Sequence, residues 1–109
     1  MKESNVVKIQ VNCPRESADA VRLAIGGSGG GVMGKYKYCS FVTEGHGYFL
    51  PMDDANPAVG NIGEVNRVPE VKIEFVCEKE KVKDVITAIK SIHPYEEIPI
   101  DIFPMLDFK

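Results

Sequence analysis

His93-Pro94-Tyr95-Glu96-Glu97 is the stretch on which the fold turns, because the hydrophobic period changes across it. On its N-terminal side Val82, Val85, Ile86 and Ile89 recur at the spacing of one helix face. On its C-terminal side Ile98, Ile100 and Ile102 alternate with Pro99, Asp101 and Phe103, the pattern of a strand. Pro94 is the physical cause: its ring disfavours helical geometry at His93, and it has no N–H with which to continue the helical ladder. The stretch reads as a helix end handing over to a strand, with His93 left at the helix C-terminus.

Working outward, Val71, Ile73 and Phe75 alternate with Lys72 and Glu74, so a strand precedes this helix. Before it, Asp53 to Val68, with Pro57, Gly60, Asn61 and Gly63, shows little period and is expected to be a long surface connection. Tyr36 to Thr43 and Tyr48 to Met52 are rich in aromatic and β-branched residues. They read as two strands of a hairpin joined by Glu44-Gly45-His46-Gly47. At the start of the chain Val7, Ile9 and Val11 alternate with Lys8, Gln10 and Asn12, a strand with one buried face. Pro14 suits the first turn of a following helix whose apolar stripe is Ala18, Val21 and Ile25.

Gly26 to Gly31 invites comparison with phosphate-cradling loops, but such loops follow a strand and open a helix, whereas this run follows a helix. No Lys followed by Ser or Thr closes it. A helix cap and mobile connector is the expected reading, and the role of Gly26 to Gly34 stays open.

These elements point to an α+β fold, a ferredoxin-like βαββαβ sandwich in which two helices cover one face of an antiparallel sheet, with an extended hairpin. With 109 residues, 44% of them hydrophobic, residues 1–109 are expected to form a single domain. The second sheet face would be open, and its apolar content is expected to favour pairing with copies of the same chain.

Sixteen acidic against thirteen basic side chains leave a net charge of −3, which gives no positive field for a nucleic acid partner. The apolar runs are only a few residues long and Met1 to Asn5 lack the core of a signal peptide, so neither membrane insertion nor export is expected, and cytoplasmic residence is. Cys13, Cys39 and Cys77 are odd in number and form no paired metal motif; each is expected to be a small buried hydrophobe, Cys39 the least securely.

Two readings of the turn compete. His93 and Glu96, with Glu97 or Asp101 nearby, offer nitrogen and oxygen donors to a divalent metal. Alternatively His93 complements the negative end of its helix, Tyr95 packs across a subunit boundary and the acids bond backbone donors or basic groups of a neighbour. On the hairpin, Tyr36, Cys39 and Ser40 are candidate pocket residues, although Ser40 has no nucleophile-elbow sequence around it. The sequence points to no other cofactor.

Gly29 to Tyr36, then Cys39, Ser40, Phe41, Glu44, Gly45, Gly47 and Phe49, then Ala55, Asn56, Pro57, Gly60 and Gly63, then Glu70, Lys72, Glu74, and finally His93 to Glu97 with Asp101 and Ile102, carry a resemblance. In order and spacing they resemble the inserted domain of the Nif-three-like (YqfO-type) dinuclear-metal proteins, over about Val6 to Ile102. The resemblance implies a stand-alone version of that domain, which is similar in fold to the CutA and PII signalling proteins, trimers of ferredoxin-like subunits. It also implies that the segments supplying the dinuclear ligands of the large proteins are absent here. The resulting expectation is a non-enzymatic homotrimer that takes a small ligand, an ion or a protein partner at subunit clefts, with Tyr36, Cys39, Ser40, His93, Tyr95, Glu96 and Glu97 as candidates. A larger metal-bearing relative is a candidate partner. A divalent-metal protein using His93 and Glu96, and a small hydrolase or cyclohydrolase, are the alternatives.

Overall fold

The computed structural model describes Met1–Phe108. Its order is β1 (Lys2–Pro14), α1 (Ala18–Gly27), β2 (Phe41–Phe49), β3 (Asn66–Glu78), α2 (Val82–Ile92) and β4 (Ile100–Asp107), and a single 3-10 turn leads into each helix. The strands form one sheet in the order β2-β3-β1-β4, with every neighbouring pair antiparallel. This is the expected α+β, ferredoxin-like βαββαβ arrangement.

The core follows from the alternation in β1. Val7, Ile9, Val11 and Cys13 lie opposite Cys77, Phe75, Ile73 and Val71 of β3, and all eight are buried. Val21 and Ile25 of α1 and Val85 and Ile89 of α2 close this face, with Ala18, Val82, Ile98 and Ile100 packed around them. Fully burying side chains of this size contributes about 1.5 to 3 kcal/mol each. On the outer face Gln10 lies between Glu74 and Asp101, Lys8 between Val76 and Phe103, and Lys72 opposite Asn12, and Gln10 donates to Glu74 across it. The apolar content of this open face is narrower than expected: polar residues dominate its middle, with Val76 among them and Phe41 and Phe103 on the edge strands to either side.

Three boundaries differ from the sequence reading. Glu44 to Gly47 form no turn: β2 runs unbroken through them, with Gly45 opposite Glu70 and Gly47 opposite Val68. The hairpin is β2 with β3, and β3 begins at Asn66, inside the stretch expected to be a connection. Beyond Glu70 that hairpin has no β1 partner and projects as a two-stranded ribbon. Pro14 ends β1 instead of opening α1.

The glycine-rich connector is docked. The Gly31 N–H donates to the Val76 carbonyl and the Cys39 N–H to the Gly31 carbonyl, both at 2.8 Å, filling the edge of β3 that β2 leaves bare. Gly31 has φ +73°, and a Cβ there would strike the Cys39 backbone. Ser28 caps α1 by donating through Oγ to the carbonyls of Ala24 and Ile25.

Candidate functional site

α2 ends where Pro94 requires it to. His93 takes φ −74°, ψ 133°, the extended geometry favoured before proline, while its N–H still donates to the Ile89 carbonyl at 2.9 Å. The side chain then turns back under the sheet. Its Nε2 lies 2.7 Å from the Asn12 carbonyl oxygen and its Nδ1 accepts from the Tyr95 N–H at 3.1 Å. A carbonyl can only accept and an amide N–H can only donate, so the ring is the neutral tautomer with its proton on Nε2. Both nitrogens are engaged and the residue is buried.

His93 in turn holds Tyr95, the ring centroids being 5.0 Å apart, and Phe49 of β2 lies 6.4 Å away on another side. The Tyr95 hydroxyl donates to Glu70 Oε2 at 2.6 Å. Glu70 is only 8% exposed, and its carboxylate rests on the bare Cα of Gly47, where a Cβ would collide with it. Burial first, then the hydrogen bond and charge of Glu70, hold the Tyr95 hydroxyl well above the usual phenol range. Burial and then the same carboxylate push the Cys13 thiol up to about 11.

Around this network lies a cleft of about 450 Å³. One wall is the turn, Tyr95 to Glu97 with Pro99; the other is the ribbon and its loop, Gly47 to Pro51 and Ala55 to Val59; Asn12 and Glu70 form the floor. Glu96 joins the walls by accepting from the Asn56 N–H at 2.9 Å. The size falls within the range of small-molecule sites, which combine apolar walls with a few placed polar groups.

Of the candidate residues, Tyr95, Glu96 and Glu97 meet at this cleft and His93 stands behind them as their support. Tyr36, Cys39 and Ser40 lie elsewhere, along the docked connector beside Val76. Tyr95 finds its partners within the chain and Glu96 bonds a backbone donor of the 50–65 loop. From the sequence Asn12 is only a strand residue, and Glu70 and the loop residues Ala55 to Pro57 enter only through the resemblance, without a site role. The signal that could have found the loop is its small and apolar content, Ala55, Pro57, Ala58 and Val59, unusual for a stretch exposed on all sides. Among the described residues no group of three or more His, Cys, Asp or Glu side chains is placed to hold a metal ion.

No protein-family model matches the chain. It is 44% identical over 98 residues to a GTP cyclohydrolase 1 type 2 homolog of Bacillus subtilis, a match covering 90% of this chain and 26% of the relative. A Bacillus cereus protein related to NIF3 superposes with a TM-score of 0.82 at 35% identity, over 97% of this chain and 26% of that one. The PII-like protein CutA from Nostoc superposes with a TM-score of 0.64 at 18% identity, over 93% of this chain and 81% of that one. The fold is CutA/PII-like, and the sequence is similar to one segment of longer NIF3-related proteins. The resemblance read from the sequence stands, and the CutA/PII-like chain spans about a quarter of the length of the curated relatives it matches. In the CutA/PII-like frame just described, the turn closes one wall of the cleft and the β2–β3 ribbon closes the other.

Proposed function

We propose that the chain is a non-enzymatic, cytoplasmic module of PII/CutA type, a single domain that assembles as a homotrimer and takes a small ligand in the cleft between the Tyr95–Glu97 turn and the β2–β3 ribbon. The observation that carries this reading is the cleft itself, built by three segments that meet only in the folded chain and floored by a buried carboxylate. Chain assembly is supported by the two sheet edges. Among the described residues β2 and β4 are the outermost strands of the sheet and carry exposed aromatic or aliphatic side chains, and edges of this kind invite pairing with another chain. Joining the β2 edge of one copy to the β4 edge of the next is head-to-tail, a contact that generates a ring when the rotation closes.

Among the described residues no helix is long and apolar enough to cross a membrane. The metal reading finds less support, since coordination through His93 would break either its bond to Asn12 or its bond to Tyr95. A NIF3-related protein carrying the same segment is the natural larger partner, because its segment offers the same edges.

Light scattering on purified protein tests the assembly. The expected mass is three times that of one chain, and a strict monomer at high micromolar concentration refutes the reading. Metal content measured on the same sample, before and after chelation, tests the alternative: one tightly held ion per chain, lost in His93→Ala while the fold survives, would replace it.

A further inference from the structure

The lining of the cleft contains three carboxylates, Glu70, Glu96 and Glu97, and no Lys, Arg or His. The three are not equivalent. Glu96 is committed to the Asn56 N–H, and Glu97 is exposed at the rim. Glu70 is different: it is more than nine-tenths buried, one oxygen accepts from Tyr95, and the other accepts from no donor among the described residues. A carboxylate offers about four acceptor positions, so most of the capacity of this one, which lines the cleft, is unmet within the chain. The side-chain amide of Asn12, on the same floor, also makes no hydrogen bond among the described residues. Around these polar groups the walls are apolar, with Phe49, Leu50, Pro57 and Val59.

We infer that the cleft takes a small organic cation: an ammonium head received by Glu70 and Asn12, carried on a hydrocarbon body that lies against Phe49, Leu50, Pro57 and Val59. This rests on the reading of the cleft as the ligand site and names the chemistry of its ligand. A bare metal ion would leave the apolar walls unused. An anion would face three negative groups with no cation in the lining itself, since Arg67 is held by the Tyr48 hydroxyl and Lys72 lines the adjoining hollow, a juxtaposition that discriminates against it. An ammonium supplies the donors that Glu70 lacks, in charge-assisted hydrogen bonds, while its stem removes the wall from water.

The test is a two-dimensional NMR titration of the labelled full chain with hexylammonium chloride, against hexanol, hexanoate and ATP at equal ionic strength. Hexylammonium is expected to shift the amides of residues 47–59 and 95–97 saturably, with hexanol, hexanoate and ATP at least about 10-fold weaker. Glu70→Gln should weaken hexylammonium by about 10-fold or more and erase its advantage over hexanol, whereas Glu80→Gln, on the 3-10 turn before α2, should change nothing. Asn12→Ala, which leaves no buried charge stranded, gives the same direction of change should Glu70→Gln fail to fold. Equal binding of hexylammonium and hexanol, or tighter binding of hexanoate or ATP at these same amides, overturns the inference and leaves the ligand-cleft reading standing. No saturable shift at the cleft with any of the four probes overturns both.

Discussion

Tyr95→Phe isolates the bond that ties the turn to the sheet. The substitution keeps the ring, and with it the contacts to His93 and Phe49, and removes one hydroxyl that donates to Glu70 at 2.6 Å. A hydrogen bond to a charged group is worth about 1.5 to 3 kcal/mol, and here its loss strands a carboxylate that is 8% exposed. The expected loss at neutral pH is therefore about 2 kcal/mol, or a fall in Tm on the order of 10 °C at fixed protein concentration. The pH dependence carries the sharper test. The hydroxyl titrates higher in the folded chain than its ordinary value of 10.0, so its contribution is complete below that value. Above it the unfolded chain ionises first, and the contribution falls as pH rises through the folded range. Denaturant melts of both proteins should show a gap that is constant from about pH 7 to 9 and narrows beyond about 10. Melts that coincide at neutral pH, or a gap that widens in alkali, would refute the assignment of this bond.

Ile89→Ala should cost about 2 to 5 kcal/mol in a denaturant melt, since Ile89 is fully buried at the centre of the α2 contact; a cost near zero would remove that helix from the core. Gly31→Ala should cost about 1 to 3 kcal/mol, because it combines a positive φ with a collision at the Cys39 backbone, and an unchanged melt would mean the connector is not docked as described. With an aromatic disulfide reagent at pH 8, Cys39 should react promptly while Cys13, buried and titrating at about 11, and Cys77, also raised by burial, react only as fast as the chain unfolds. Three equally fast thiols would contradict this packing.

Periodicity revealed what is buried on one side. The β1 alternation and the Val85 and Ile89 stripe are legible because each records a single wet face and a single dry one. It failed where glycine serves a neighbour instead of a turn. Gly45 and Gly47 look like a hairpin loop, yet β2 continues through them because β3 pairs with it, and Gly47 is bare to make room for Glu70. Pro69 hid the start of β3 in a similar way; it sits where β3 has a neighbour on one side only, and there a proline is tolerated. The turn His93 to Glu97 was legible through Pro94, but its partners were not. Asn12, Glu70 and Asn56 lie far from it in the chain, and no local pattern announces a contact that only the register of β1 against β3 creates.

The projecting ribbon divides the molecule into parts of unequal cooperativity. The floor of the cleft belongs to strands with neighbours on both sides, whose amides exchange with solvent only when the whole chain opens, whereas the ribbon beyond Glu70 holds a single ladder. Opening that ladder exposes little of the core. The outer wall of the cleft can thus detach and reseat at a small free-energy cost that leaves global stability untouched, so occupation of the cleft would slow hydrogen exchange along residues 46–49 and 66–69 well before it raised the melting temperature.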